Sequence, residues 1–87
     1  MKGVTKSGFA FELEDEAFND YEILEQLRAV DKGDLTAIVD VVNTLFPEEQ
    51  KNALKEHLRG KNGRVGMKEM IQEVAEILQT SQEGKNS

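Results

Sequence analysis

Between positions 67 and 78 the apolar residues fall at helical spacing: Met67, Met70, Ile71, Val74, Ile77 and Leu78. Steps of three and four put all six on one side of an α-helix, and a stripe that clean has to be covered. A chain of 87 residues has little to cover it with. A domain this small buries only roughly 60% of the surface its unfolded form exposes. Without cysteine, neither a disulfide framework nor a cysteine zinc site can reinforce the core. The stripe therefore calls for other helices within one domain, and the thin core favours self-association or docking on a partner.

The rest of the chain supplies those helices. Val4 and Thr5 precede Lys6-Ser7-Gly8, after which Phe9, Phe11 and Leu13 alternate with Ala10 and Glu12. That period of two after a Ser-Gly turn predicts a hairpin with Phe9, Phe11 and Leu13 on its buried face. Residues 14–19 are acidic and read as a loop or loose turn. Asp20 is placed to cap a first helix, whose apolar stripe is Tyr21, Leu24 and Leu27 with Ile23 and Val30; Lys32-Gly33 ends it. Asp34 caps a second helix carrying Leu35, Ile38, Val39, Val42, Leu45 and Phe46, with Val41 widening the apolar surface. Pro47, preorganised for the first helical position, opens a third. Its stripe is Ala53, Leu54 and Leu58, with His57 alongside, and Gly60 stops it. Asn62-Gly63 marks a tight turn, and Gly66 with Glu69 opens the last helix. The expected fold is mainly α, a short N-terminal β-hairpin followed by about four short helices. It forms one domain over residues 1–79, with a flexible polar tail at 80–87.

Charge narrows the partners. The net charge of −6 argues against the nucleic-acid backbone, which is bound by neutralising phosphates with Lys and Arg. Residues 12–34 hold nine acids against Arg28 and Lys32, a net of −7, whereas residues 51–68 hold six bases against Glu56, a net of +5. Either these are solvated helix faces, or the opposite patches steer a weak head-to-tail self-association. No apolar run nears the roughly 20 residues of a membrane span, and no signal-peptide pattern opens the chain, so the cytosol is the expected compartment.

Motifs that carry chemistry are missing. The one histidine, His57, lies on an amphipathic helix, and the serines sit at positions 7, 81 and 87, in a turn and a tail. Neither place holds a nucleophile rigidly beside His57. Asn62-Gly63-Arg64-Val65 with Glu69 imitates half of an EF-hand, but its first two ligand positions fall on Leu58 and Gly60, which bring no side-chain oxygen. Gly60, Gly63 and Gly66 lack the Lys-Ser/Thr of a phosphate-binding loop. The expectation is a protein that is not an enzyme and uses no metal or cofactor.

Several stretches together carry a resemblance: Thr5-Lys6-Ser7-Gly8-Phe9, Asp20-Tyr21-Glu22-Ile23-Leu24-Glu25, Pro47-Glu48-Glu49-Gln50-Lys51, Leu54-Lys55-Glu56-His57-Leu58-Arg59, and Asn62-Gly63-Arg64-Val65 followed by Glu69-Met70. From about Thr5 to Leu78 the chain resembles small tail assembly chaperones of long-tailed phages and prophages of Gram-positive bacteria. The resemblance implies a protein of the host cytoplasm that binds the tape measure protein, keeps it soluble, helps recruit tail tube protein, and is absent from the mature virion. It brings no catalytic residues and assigns no binding surface residue by residue. The apolar surplus of the second and last helices makes Leu35, Val39, Val41, Met67 and Met70 the candidate partner-binding residues, with core packing the competing role for the two methionines. Two other classes stay open. One is a small acidic adaptor or regulatory domain. The other is an acidic DNA mimic, which the +5 segment disfavours.

Overall fold

In the computed structural model of the chain, which describes residues 1–85 and side chains as far as Thr80, a two-stranded hairpin leads through a 3₁₀ turn into four helices. β1 (Lys2–Val4) and β2 (Ala10–Glu12) pair antiparallel, with Gly3 opposite Phe11. Phe9, Phe11 and Leu13 are buried as their alternation requires, and Ala10 and Glu12 face outward. Two short strands are not stable alone in water, and here a side chain covers the outer edge of β2. The Glu12 N–H donates to Gln50 Oε1 at 3.0 Å, and Gln50 Nε2 donates to the Glu12 carbonyl. The carboxamide thus takes the place of a third strand.

The acidic stretch expected as a loop or loose turn winds into one 3₁₀ turn, Asp15–Phe18, and its Ala17 and Phe18 pack back on the core. α1 (Tyr21–Asp31) begins as its cap dictates, with Asp20 Oδ1 accepting the Glu22 N–H at 2.9 Å. It closes in a Schellman motif: the Asp34 N–H reaches the Ala29 carbonyl and the Gly33 N–H the Val30 carbonyl, both at 3.0 Å. That closure needs Gly33 at φ 104°, a conformation costly for any residue with a Cβ. Asp34 is used again at once. Its Oδ1 accepts the Thr36 N–H at 3.1 Å, capping a turn that runs into α2 (Ala37–Leu45). Regular α-helix therefore starts later than the sequence suggests, and Leu35 sits in the turn ahead of it.

Phe46, expected within the second helix, is its extended C-cap and remains buried. Pro47 occupies the N-cap of α3 (Glu48–Leu58) rather than its first helical position; its ψ of 155° is extended and its carbonyl accepts the Lys51 N–H at 2.9 Å. An isolated bridge between Arg59 and Val65 closes the loop to α4 (Met67–Lys85). The Gly66 carbonyl accepts the Met70 N–H at 3.0 Å, opening that helix. α4 continues past Leu78 to Lys85, so the flexible tail expected from Thr80 begins inside a helix, and Asn86 and Ser87 lie outside the described residues.

Val41 and Leu45 of α2, Leu54 of α3, and Val74 and Ile77 of α4 are the most completely sealed side chains. The buried hairpin residues and Ile23 of α1 pack onto that centre. The fold is the mainly helical domain with an N-terminal hairpin that the sequence leads one to expect. No described helix is long and apolar enough to cross a membrane.

Candidate functional site

Five residues were candidates for a partner surface, and the structure separates them. Val41 is fully buried and is no surface residue. An α-helix turns about 100° per residue, so Val41 and Val39, two apart, point to nearly opposite sides. Val41 joins Ala37 and Leu45 on the core side of α2, which leaves Val39 57% exposed. Val39 and the half-buried Met70 line one groove of about 390 Å³, floored by Ile38, Val42 and Val65 and rimmed by Lys51 and Lys55. Leu35, four residues before Val39, is 55% exposed, and Met67, three before Met70, is 78% exposed. Met67 lies one helical turn before Met70 on α4, whereas Leu35 sits in the turn ahead of α2. Two of the five candidates, Val39 and Met70, therefore share one groove.

A second apolar groove, of about 610 Å³, runs between α1 and α4. The sequence reading placed Tyr21 and Leu24 on the covered stripe of α1, and the structure corrects this: they are 72% and 60% exposed. Ile23 is the α1 residue that is buried. α1 packs chiefly against α2, which leaves open its side towards Ile71, Val74 and Ala75 of α4. Periodicity identifies residues that share a face, but it does not say whether the chain has another element to cover that face.

The hairpin turn holds a polar cluster that sequence reasoning ruled out. Ser7 Oγ lies 3.0 Å from His57 Nε2 and donates to Glu73 Oε1 at 2.6 Å. Ser7 therefore does stand beside His57, held there by contacts from α3 and α4. Because the serine proton points at Glu73, His57 must present Nε2–H to Ser7 Oγ, with Thr5 Oγ1 3.1 Å from the same oxygen. In a hydrolytic triad the acid orients the histidine and the histidine takes the serine proton. Here the acid binds the serine directly, an arrangement that ties the turn down instead of priming a nucleophile. The Lys6 N–H adds a bond to Glu76 Oε2 at 2.8 Å, and the His57 ring packs 5.5 Å from that of Phe9. His57 itself is exposed. A signal was available in the sequence. Glu73 lies three residues after Met70 and four before Ile77, on the apolar stripe, and an acid in that position needs a hydrogen-bonding partner. It is 95% buried, with Oε2 unpartnered.

Ion pairs decorate the surface of α3. Lys51 Nζ stands 2.9 Å from Glu48 and Arg59 Nη2 2.9 Å from Glu56, so two of the six bases in the positive segment are matched within their own helix. The hydrogen bond from Lys51, followed by its charge, holds the Glu48 carboxyl below its ordinary value, and Arg59 does the same for Glu56. Among the described residues no cluster of three or more histidine or acidic side chains is arranged to hold a metal ion. The chain matches no protein-family model, no curated protein and no solved structure.

Proposed function

We propose that this protein is a tail assembly chaperone that binds the tape measure protein of a long-tailed phage or prophage, assists assembly of the tail tube, and leaves before the virion is complete. One observation carries the reading beyond the resemblance. Val39 stays exposed on an apolar groove that Met70 also lines, and Leu35 and Met67 are exposed as well. Contiguous apolar surface on a soluble protein marks a binding site. Met70 in the groove and Met67 beside it give that surface the adaptability to accept many points along a long helical client. The chemistry is the burial of apolar helix stripes, without catalysis, metal or cofactor, in the bacterial cytoplasm. The alternative is a small acidic adaptor that uses the same face for a single partner.

Co-expression tests the reading. The soluble yield of the tape measure protein encoded beside this chain should rise when the two are made together. An unchanged yield would sink the chaperone reading and leave the adaptor.

A further inference from the structure

We propose that the groove lined by Val39 and Met70 takes an acidic amphipathic helix of the partner, with its apolar stripe in the groove and its carboxylates on Lys51 and Lys55. The inference rests on the reading that the partner binds at this groove, and it adds which kind of segment is selected there. The only charged residues lining the groove are the two lysines. The groove between α1 and α4, by contrast, carries Glu25, Arg28 and Asp31 together, a mixture that selects neither sign.

Lys51 has its ammonium held between Glu48 Oε2 at 2.9 Å and Asn43 Oδ1 at 3.2 Å. An ammonium carries three N–H donors, so one is left for an incoming carboxylate. Lys55 is exposed and forms no ion pair among the described residues. Glu48 and Glu56 of the same helix are engaged by Lys51 and Arg59. With Glu48 counted against Lys51, the charge of Lys55 stays unmatched at the rim. The two lysines are four residues apart, about 6 Å along α3, and carboxylates three or four apart on a partner helix repeat at a similar distance. Ile38 and Val42 on the floor, with the exposed Val39, receive the apolar stripe of such a helix. The net charge of −6 argues for the opposite preference, a basic partner. At physiological salt, charges more than about 8 Å away are largely screened, so the lysines at the rim decide.

Two synthetic helical peptides of about 18 residues test this against the intact chain at physiological salt. Both carry one leucine stripe at steps of three and four, flanked by glutamates in the first and by lysines in the second. The glutamate peptide should bind roughly tenfold more tightly and shift the methyl NMR signals of Val39 and Met70. Lys55→Glu should erase that preference, with a thermal melt verifying that the exposed substitution leaves the fold intact. Equal or tighter binding of the lysine peptide overturns the proposal, as does binding of neither peptide or a preference that survives Lys55→Glu. Shifts at Leu24 and Ile71 instead would place the helix in the other groove and overturn it too. Val39 and Met70 signals that move with protein concentration alone would make the occupant a second copy, which also overturns it. The chaperone reading is scored separately by soluble yield. Rescue of the tape measure protein without an acidic preference would sink this inference alone, and the preference without rescue would sink the chaperone reading alone.

Discussion

The Phe11 ring lies against the Cα of Gly3, its partner across the hairpin: a methyl group on Gly3 would sit 2.6 Å from Phe11 Cζ. The ring covers the bare backbone of a strand residue that has no side chain of its own to pack. Gly3 therefore matters for the space it leaves. Gly3→Ala should push a buried ring off its seat and destabilise the domain by about 1–3 kcal/mol. The urea midpoint should fall with the slope unchanged. A midpoint equal to that of the wild type would show that the ring has somewhere else to go.

Ser7→Ala is expected to cost more than Glu73→Gln. Removing the serine hydroxyl strips a 95% buried carboxyl of the one side-chain partner seen for it. Loss of a hydrogen bond to such a group costs about 1.5–3 kcal/mol. The glutamine keeps an acceptor for Ser7 and carries no charge into the core. Chemical denaturation of both variants decides the order, and the reverse ranking would mean that Ser7 does not anchor the turn.

The ion pairs on α3 predict a pH signature. Glu48 and Glu56 are held below their ordinary value of 4.5 by hydrogen bonds from Lys51 and Arg59. A depressed carboxyl stabilises the fold above its unfolded-state value, and that contribution is lost as pH falls through the lower folded-state value. Both groups are exposed, so the effect on stability is small, but carboxyl carbon titration by NMR should show these two protonating below the ordinary value of 4.5. Lys51→Met should raise Glu48 towards its ordinary value and leave Glu56 where it was. Should Glu48 not move, the pair exists only as geometry.

Val39 and Val41 offer the cleanest contrast between surface and core. Val41→Ala, at a fully buried site, should cost about 2 kcal/mol of stability. If the chaperone reading is right, it should leave client rescue intact at temperatures where the protein is folded. Val39→Glu should leave the melting temperature within a degree or two and abolish the rise in soluble tape measure protein. Rescue that survives Val39→Glu, and also Met67→Glu, would move the binding face elsewhere.

The helices were legible in the sequence because each announces itself locally. Asp20 caps α1, Gly33 closes it, and the spacing from Met70 to Leu78 admits only one buried side for α4. The sides of α2 were not legible. With Ile38, Val39, Val41, Val42 and Leu45 so close together, apolar residues ring most of the helix, and periodicity cannot separate Val39 from Val41. The exposure of Tyr21 and Leu24 depends on which helix α1 meets, which is a property of the whole chain. The Ser7 cluster is more distant still. Its members come together from a turn and two helices, and only the misplaced acid at Glu73 hinted at it.

The hairpin turn also fixes an order of events on the ribosome. Its anchors are His57, Glu73 and Glu76, respectively 50, 66 and 70 residues further along than the turn residues they hold, and the plug on the β2 edge is Gln50, 38 residues beyond Glu12. α1 and α2, joined by the Gly33–Asp34 corner, need nothing beyond their own neighbourhood to begin packing. The hairpin thus leaves the exit tunnel well before the residues that secure it. At roughly 5–20 residues per second, Phe9, Phe11 and Leu13 wait several seconds for their neighbours. Throughout that interval the nascent chain itself carries the kind of uncovered apolar strand that a chaperone exists to shield.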